Sequence, residues 1–371
     1  MQKINWDSPF KDIDGNYHYR DDIERWFTEG HKDSKVKVNR GILKDIEKRI
    51  DEQVDKLKKE RKKNEHRLSK NGYIAELEIL EGCKKNLKKI LLGRPQQLKM
   101  YASLYKEKIS NIRYHKSTSQ KNLSNKKQNL RNDILKVFNY KGYRIGKLPF
   151  LSKMLNIKCC PYCNQYFTLS FNEIKLLTSK TKKETISMFQ FDHFFSKSEY
   201  PILSMSLYNL IPSCNICNQS KTNNNLSLLF HPYESDIDSI ITFGLTNPTD
   251  IIIDNPNSDI IEVSLKSKDP NLQNKVNVYD NTFHISSRYS RHKDLVEEIY
   301  ARIYLKKYYV DQHNFEFLIP EGQDFIKREF CGESIIDRIK FGNFNQRTNI
   351  NYRPLVKFMI DINEELESFI K

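Results

Sequence analysis

Two Cys-x-x-Cys pairs constrain this chain more than anything else in it. Cys160-Pro161-Tyr162-Cys163 and Cys214-Asn215-Ile216-Cys217 stand about fifty residues apart. Four thiolates in two such turns make facing knuckles around a single tetrahedral ion, the pattern of a structural zinc site. Cys159 is the alternative first ligand, but only Cys160 has the two-residue spacing to Cys163. The cysteines outside the set, Cys83, Cys159 and Cys331, offer no even disulfide framework, which favours a reducing compartment. The first residues lack the apolar core of a signal peptide, and no stretch approaches the roughly 18 apolar residues of a membrane span. A soluble, cytoplasmic protein with no membrane partner is expected.

Length allows two or three domains, each with its own core. The formal charge of +15 is not spread evenly: Lys84 to Lys147 holds 18 Lys and Arg against Glu107 and Asp133, which leaves 44 basic and 45 acidic residues elsewhere. A basic run often forms only a solvated helix face. So lopsided a surplus favours contact with a phosphate backbone.

The periodicity predicts an α+β fold in three parts: a helical basic arm over 1–147, a central zinc-knuckle domain over 148–250, and a C-terminal strand and helix region over 251–371 that braces it. In the arm, Ile42, Ile46, Ile50, Val54 and Leu57 recur at helical spacing. Asn71-Gly72 reads as the break before a returning helix with Ile74, Leu77, Leu80, Leu87, Ile90 and Leu91 inward, ended by Gly93-Arg94-Pro95. Tyr101, Tyr105, Tyr114, Tyr140 and Tyr143, interleaved with lysines, read as core anchors rather than base-stacking platforms, and 116–127 as a polar loop. In the central part, 166–171 and 188–195 read as strands, the Lys-rich 175–183 as a surface loop, and a short helix is expected from Asn215. Beyond it, 260–265 and 276–285 read as strands, and helices are expected from His292 and over 354–370. Arg288, Arg291 and Lys293 are candidates for extending a phosphate track.

Between and beside the knuckles lie Asp192-His193, Asn209 and Asn218. A neutral imidazole at position 193 has the pKa to accept a proton from water near pH 7. Asp192 and His193 are neighbours on a strand, so they face opposite sides unless the backbone bends. His193, Asn209 and Asn218, together with the four cysteines, resemble the motif of the HNH endonucleases, the zinc-stapled branch of the ββα-metal nucleases. His193 matches the first His, Asn209 the middle Asn, and Asn218 the position usually held by the last His, which makes this an HNN variant. The nine positions from Asn209 to Asn218 equal the family's interval.

The resemblance implies a metal-dependent endonuclease that hydrolyses phosphodiester bonds, with double-stranded DNA as the foremost nucleic-acid partner. His193 would be the general base and Asn209 would hold its segment in place. Asp192 and Asn218 would give oxygen ligands to Mg²⁺ or Mn²⁺, beside the structural Zn²⁺. His231, a lone histidine beside Pro232, reads either as structural or as a ligand that replaces or joins Asn218, and Lys221 either as a contact to a flanking phosphate or as a solvated lysine. More loosely, a helical arm followed by such a finger is similar to nuclease effectors of bacterial anti-phage defence, including the nuclease partner of Septu-type pairs, which would imply a regulatory ATPase. The alternative is a non-catalytic zinc ribbon that binds nucleic acid or scaffolds a partner.

Overall fold

The computed structural model describes residues 4, 10–11, 17–18, 20–30, 41–62, 70–111, 120–146, 148–155, 157–177, 180–221, 229–249, 261–305, 347, 350–351 and 353–370. The architecture is α+β and mostly helical, with small two-stranded sheets and a four-cysteine cluster. The chain divides into two compact units that interleave in sequence. One comprises Asn5–Asn156 and Ser170–Pro212; the other comprises Met1–Ile4, Ile157–Leu169 and Ser213–Lys371. All but the first four residues of the basic arm fall in the first unit, and the 148–250 stretch is shared between the two.

In the first unit the Ile42–Lys62 helix buries Ile42, Ile46, Ile50, Val54 and Leu57, the face its period predicts. Its last turn carries Lys59, Arg61 and Lys62, which suits the negative end of the helix dipole. The returning helix, Lys70–Lys85, already contains Asn71 and Gly72, so the expected break at those residues is corrected. Its inward residues include Tyr73, Glu76, Ile79, Leu80 and Cys83, while Ile74 is exposed and Leu77 only half-buried. Counting apolar residues alone passed over Glu76, whose Oε1 accepts from Gln53 Nε2 at 2.9 Å and so can sit inside.

Leu87–Leu92 follows, and Gly93 is required at its end because a Cβ there would lie 2.6 Å from the Lys89 carbonyl oxygen. Pro95 opens the Pro95–Ser110 helix, where Gln97 reaches back to the Arg94 amide at 3.0 Å. Gln120–Phe138 is helical, so the second half of the expected polar loop is corrected. Leu130, Ile134, Val137 and Phe138 bury one face, and the helix they anchor extends backwards through Ser124 and Asn125, which are exposed. Tyr105, Tyr140 and Tyr143 are buried, in keeping with core anchoring, whereas Tyr101 is only half-buried and Tyr114 lies outside the described residues; Tyr143 donates a hydrogen bond to Asp45.

The Lys-rich 175–183 stretch belongs to a hairpin and not to a loop. Ser170–Leu177 pairs antiparallel with Lys180–Ser187, in register from Ser170 opposite Ser187 to Leu177 opposite Lys180. The β propensity of Ile174, Thr181, Thr185 and Ile186 outweighs the lysine content, and ladder hydrogen bonds do not depend on side-chain charge. The strand expected over 166–171 splits into an isolated bridge between Phe167 and Cys159 and the first two residues of the Ser170–Leu177 strand, and the one expected over 188–195 shortens to Gln190–His193.

In the second unit Ile241–Leu245 pairs antiparallel with Val263–Ser267. The strand expected over 276–285 is instead the Gln273–Phe283 helix. Val276, Tyr279 and Phe283 bury at helical spacing, and Asp269, whose side chain accepts from the Asn271 amide, starts the preceding turn with Pro270. The helices Lys293–Leu305 and Val356–Ile370 form as expected and pack on each other. Lys357, fully buried, places Nζ 2.8 Å from both Asp238 Oδ1 and Asp361 Oδ2, and Arg347 completes this ion-pair network. Cys331 lies outside the described residues.

Candidate metal centre and histidine site

The two knuckles belong to the second unit. Cys160 and Cys163 sit in a turn where the Cys160 amide bonds the Tyr166 carbonyl at 2.9 Å and the Asn164 amide bonds the Cys160 carbonyl at 2.8 Å. Asn164 takes a left-handed backbone, φ 54°, a conformation in which asparagine is among the few tolerated side chains. Cys214 caps the Asn215–Ser220 helix, which starts where the sequence placed it, and its sulfur accepts from the Cys217 amide.

The ligand atoms of Cys160, Cys163, Cys214 and Cys217, all buried, lie within 4.8 Å of one another, and Cys163 Sγ is 3.9 Å from Cys214 Sγ. A tetrahedral zinc with bonds of about 2.3 Å needs sulfurs roughly 3.8 Å apart, so the four residues fit the ion. Cys159 is not among them; burial pushes its thiol up to about 12.

Arg288 lies against this cluster. Its Nη2 points to Cys163 Sγ at 3.4 Å, its Nη1 to Cys217 Sγ at 3.5 Å, and its Nε donates to Gln165 Oε1 at 2.8 Å. Burial alone would raise the Cys163 thiol, but donors from the other three cysteines and the Arg288 charge hold it well below the usual value. A phosphate-track role for Arg288 therefore gives way to a counter-charge for the thiolates. Tyr289 Oη and Tyr279 Oη, each at 2.6 Å, tie the Cys163 and Tyr162 carbonyls to the helical layer behind. Asn164 fastens the same knuckle to the chain end: its Nδ2 donates to the Ile350 and Arg353 carbonyls and its Oδ1 accepts from the Lys357 amide.

The histidine belongs to the first unit. His193 ends the Gln190–His193 strand, which pairs with Leu210–Ser213, and Asn209 directly precedes that second strand. Asn209 is wholly buried and its amide works in both directions. Nδ2 donates to the Phe195 carbonyl at 3.0 Å and to the Leu203 carbonyl at 2.9 Å, while Oδ1 accepts from the Phe195 amide at 2.7 Å. One side chain thus closes the loop between the two strands. Inside that loop the Ser204 carbonyl lies 2.9 Å from His193 Nε2. A carbonyl only accepts, so Nε2 carries a proton and Nδ1 is left with the lone pair in the neutral ring.

Asp192 and His193 are both buried. The Tyr140 ring meets the His193 ring edge-on at 4.4 Å, and the Asp192 charge acts on Tyr140 and on Lys197, so the carboxylate and the imidazole share one neighbourhood.

Asn218, on the Asn215–Ser220 helix, is half-buried and its amide bonds the Cys214 carbonyl at 3.0 Å. Lys221 ends that helix and is half-buried. His231 is buried, and its Nδ1 accepts from the Tyr233 amide at 3.3 Å, which puts the proton of the neutral ring on Nε2. Burial, with Lys221 adding to it, pushes its pKa down to about 3. Asn218, Lys221 and His231 belong to the second unit, Asp192, His193 and Asn209 to the first.

Comparison of the chain with protein-family models, with curated proteins and with solved structures found no match. The reading of function rests on residue chemistry. Among the described residues no helix is long and apolar enough to cross a membrane.

Proposed function

We propose that this chain is a metal-dependent endonuclease of the HNH type, cutting nucleic-acid phosphodiesters by hydrolysis, with duplex DNA the first substrate to test. One observation carries the proposal: a buried imidazole at a strand end whose Nε2–H is fixed on the Ser204 carbonyl at 2.9 Å, in a loop that Asn209 closes from both ends. That arrangement supports a base poised on Nδ1. His193 takes a proton from water as the water oxygen bonds phosphorus; the P–O3′ bond then breaks and the 3′ oxygen leaves, to be protonated from solvent. As the ring becomes an imidazolium, the Ser204 carbonyl stabilises its Nε2–H.

The buried Asp192 carboxylate is a hard oxygen donor of the kind Mg²⁺ or Mn²⁺ takes. Such an ion, when bound, supplies charge stabilisation at the phosphoryl and leaving oxygens. His231, with Nδ1 committed to the Tyr233 amide, is better suited to packing than to ligation. The zinc centre is read as structural: four cysteines leave no open position.

The test is nicking of supercoiled plasmid with Mg²⁺ or Mn²⁺ by the native chain and by His193→Ala, Asp192→Asn and Asn218→Ala. The expected result is metal-dependent cleavage by the native chain and its loss in the first two variants. Binding without cleavage by any of them would instead support a non-catalytic zinc module.

A further inference from the structure

Lys197 lies four residues past His193, in a turn that begins at Ser196, where the Tyr200 amide bonds the Ser196 carbonyl at 2.8 Å. The residue two before it, Phe195, is the one Asn209 grips through both its amide and its carbonyl. The clamp that closes the histidine loop therefore also sets where this turn, and with it Lys197, leaves the loop. Lys197 Nζ stands 5.0 Å over the Tyr140 ring, and that same ring meets the His193 ring at 4.4 Å. An ammonium and the candidate base thus contact one aromatic side chain, itself fixed by a bond from its hydroxyl to the Phe191 carbonyl at 3.5 Å.

The charges around this pair are uneven. No carboxylate among the described residues forms an ion pair with Lys197, although it is half-buried. Arg144, exposed on the Tyr140–Gly146 helix, acts on both Tyr140 and Lys197. Burial and Arg144 together lower the Lys197 pKa, while Asp192 opposes them. Placing a second cation near a partly desolvated lysine costs free energy unless an anion arrives to neutralise both. The geometry points to Lys197, positioned over Tyr140 next to His193, as a binding site for a backbone phosphate of the nucleic acid. This deepens the nuclease reading and rests on it for the identity of the ligand.

Lys197 acts here by positioning. A point charge on a phosphate contributes to binding at every sequence alike and releases a counterion, which a purely structural cation–π contact does not do. The experiment measures duplex DNA binding by the full-length protein as a function of salt, in buffer free of Mg²⁺ and Mn²⁺ so that no cleavage occurs and free of chelators so that the zinc is kept. Native chain, Lys197→Gln, Lys197→Arg and Arg144→Gln are compared, and circular dichroism verifies that each is folded. Lys197→Gln is expected to lower the slope of log affinity against log salt by about 1 and Lys197→Arg to keep it. With Mg²⁺ restored, cleavage by Lys197→Gln is expected to fall by about 10-fold or more while Lys197→Arg retains most of it.

An unchanged slope in a folded Lys197→Gln protein, or no duplex binding by the native chain, would overturn the inference. A native chain that binds with a Lys197-dependent slope but never cuts leaves this site standing and removes the nuclease reading. A native chain that cuts, with slope and rate unaltered in Lys197→Gln, removes only this site.

Discussion

Asn209 carries more of the local structure than any other single side chain near the histidine. Replacing it by Asp keeps the shape but removes both Nδ2 donors, orphaning the Phe195 and Leu203 carbonyls in a buried loop. Each orphaned group costs about 1–3 kcal/mol. Asn209→Asp should therefore lower unfolding free energy in urea by at least that much and slow cleavage with it; native stability in this variant would show that the loop holds without the clamp.

His231 makes a separate prediction about pH. Its folded pKa, about 3, lies below the ordinary 6.5, so between those values the unfolded chain binds the extra proton. Stability then rises with pH through this window and is lost as pH falls through it, by an amount on the order of several kcal/mol. His231→Phe, which cannot titrate, should flatten the urea-unfolding profile between pH 3 and 6.5; the same slope in the variant would mean that other groups set it. Of these residues, Asn209 and His193 stand out in the sequence through the motif they resemble. Ser204 and Tyr140 do not, since a backbone carbonyl has no side-chain signature and a tyrosine in a basic helix looks like any core tyrosine.

At the scale of elements, the knuckles could be read from spacing alone, because tetrahedral geometry permits few spacings. The helices with a clean apolar period could be read equally well. Errors came where burial was polar or where two periods fit the same residues. Glu76 hid the true face of the Lys70–Lys85 helix, and Val276 to Phe283 offered both an alternating and a helical pattern, of which the helical one is formed and buries Val276, Tyr279 and Phe283. Asn164 and Arg288 show what sequence leaves out of a metal centre: the residues that orient the ligands come from far along the chain, and their partners are sulfur and backbone. Arg288→Gln should loosen the zinc, speeding its transfer to a colorimetric chelator by about 10-fold or more. Arg288→Lys should not restore it, because one ammonium cannot reach two sulfurs in a fixed fork. Release as slow as from the native protein would remove Arg288 from the centre.

For the whole molecule, charge distribution was the most readable property and topology the least. A helical arm was foreseeable, but not that one compact unit would combine 5–156 with 170–212, because contacts between distant segments leave no local pattern. If the four thiolates hold zinc, folding of the unit containing them is linked to the metal. Stripping zinc with a strong chelator should then lower the thermal midpoint and expose the Cys160, Cys163, Cys214 and Cys217 thiols to a titrating reagent. Cys83, whose thiol burial raises to about 12, should stay unreactive while its own unit is folded.

The account stands or falls on whether His193 moves a proton during hydrolysis, and single-turnover cleavage of a duplex across pH reads that directly. The native chain should show a rate that climbs with pH through one ionisation and then levels. His193→Ala should lose that ionisation and run about 10²- to 10⁴-fold slower with duplex binding intact. A His193→Ala enzyme that cuts within about threefold of the native rate, a difference of less than 1 kcal/mol in barrier, would contradict it.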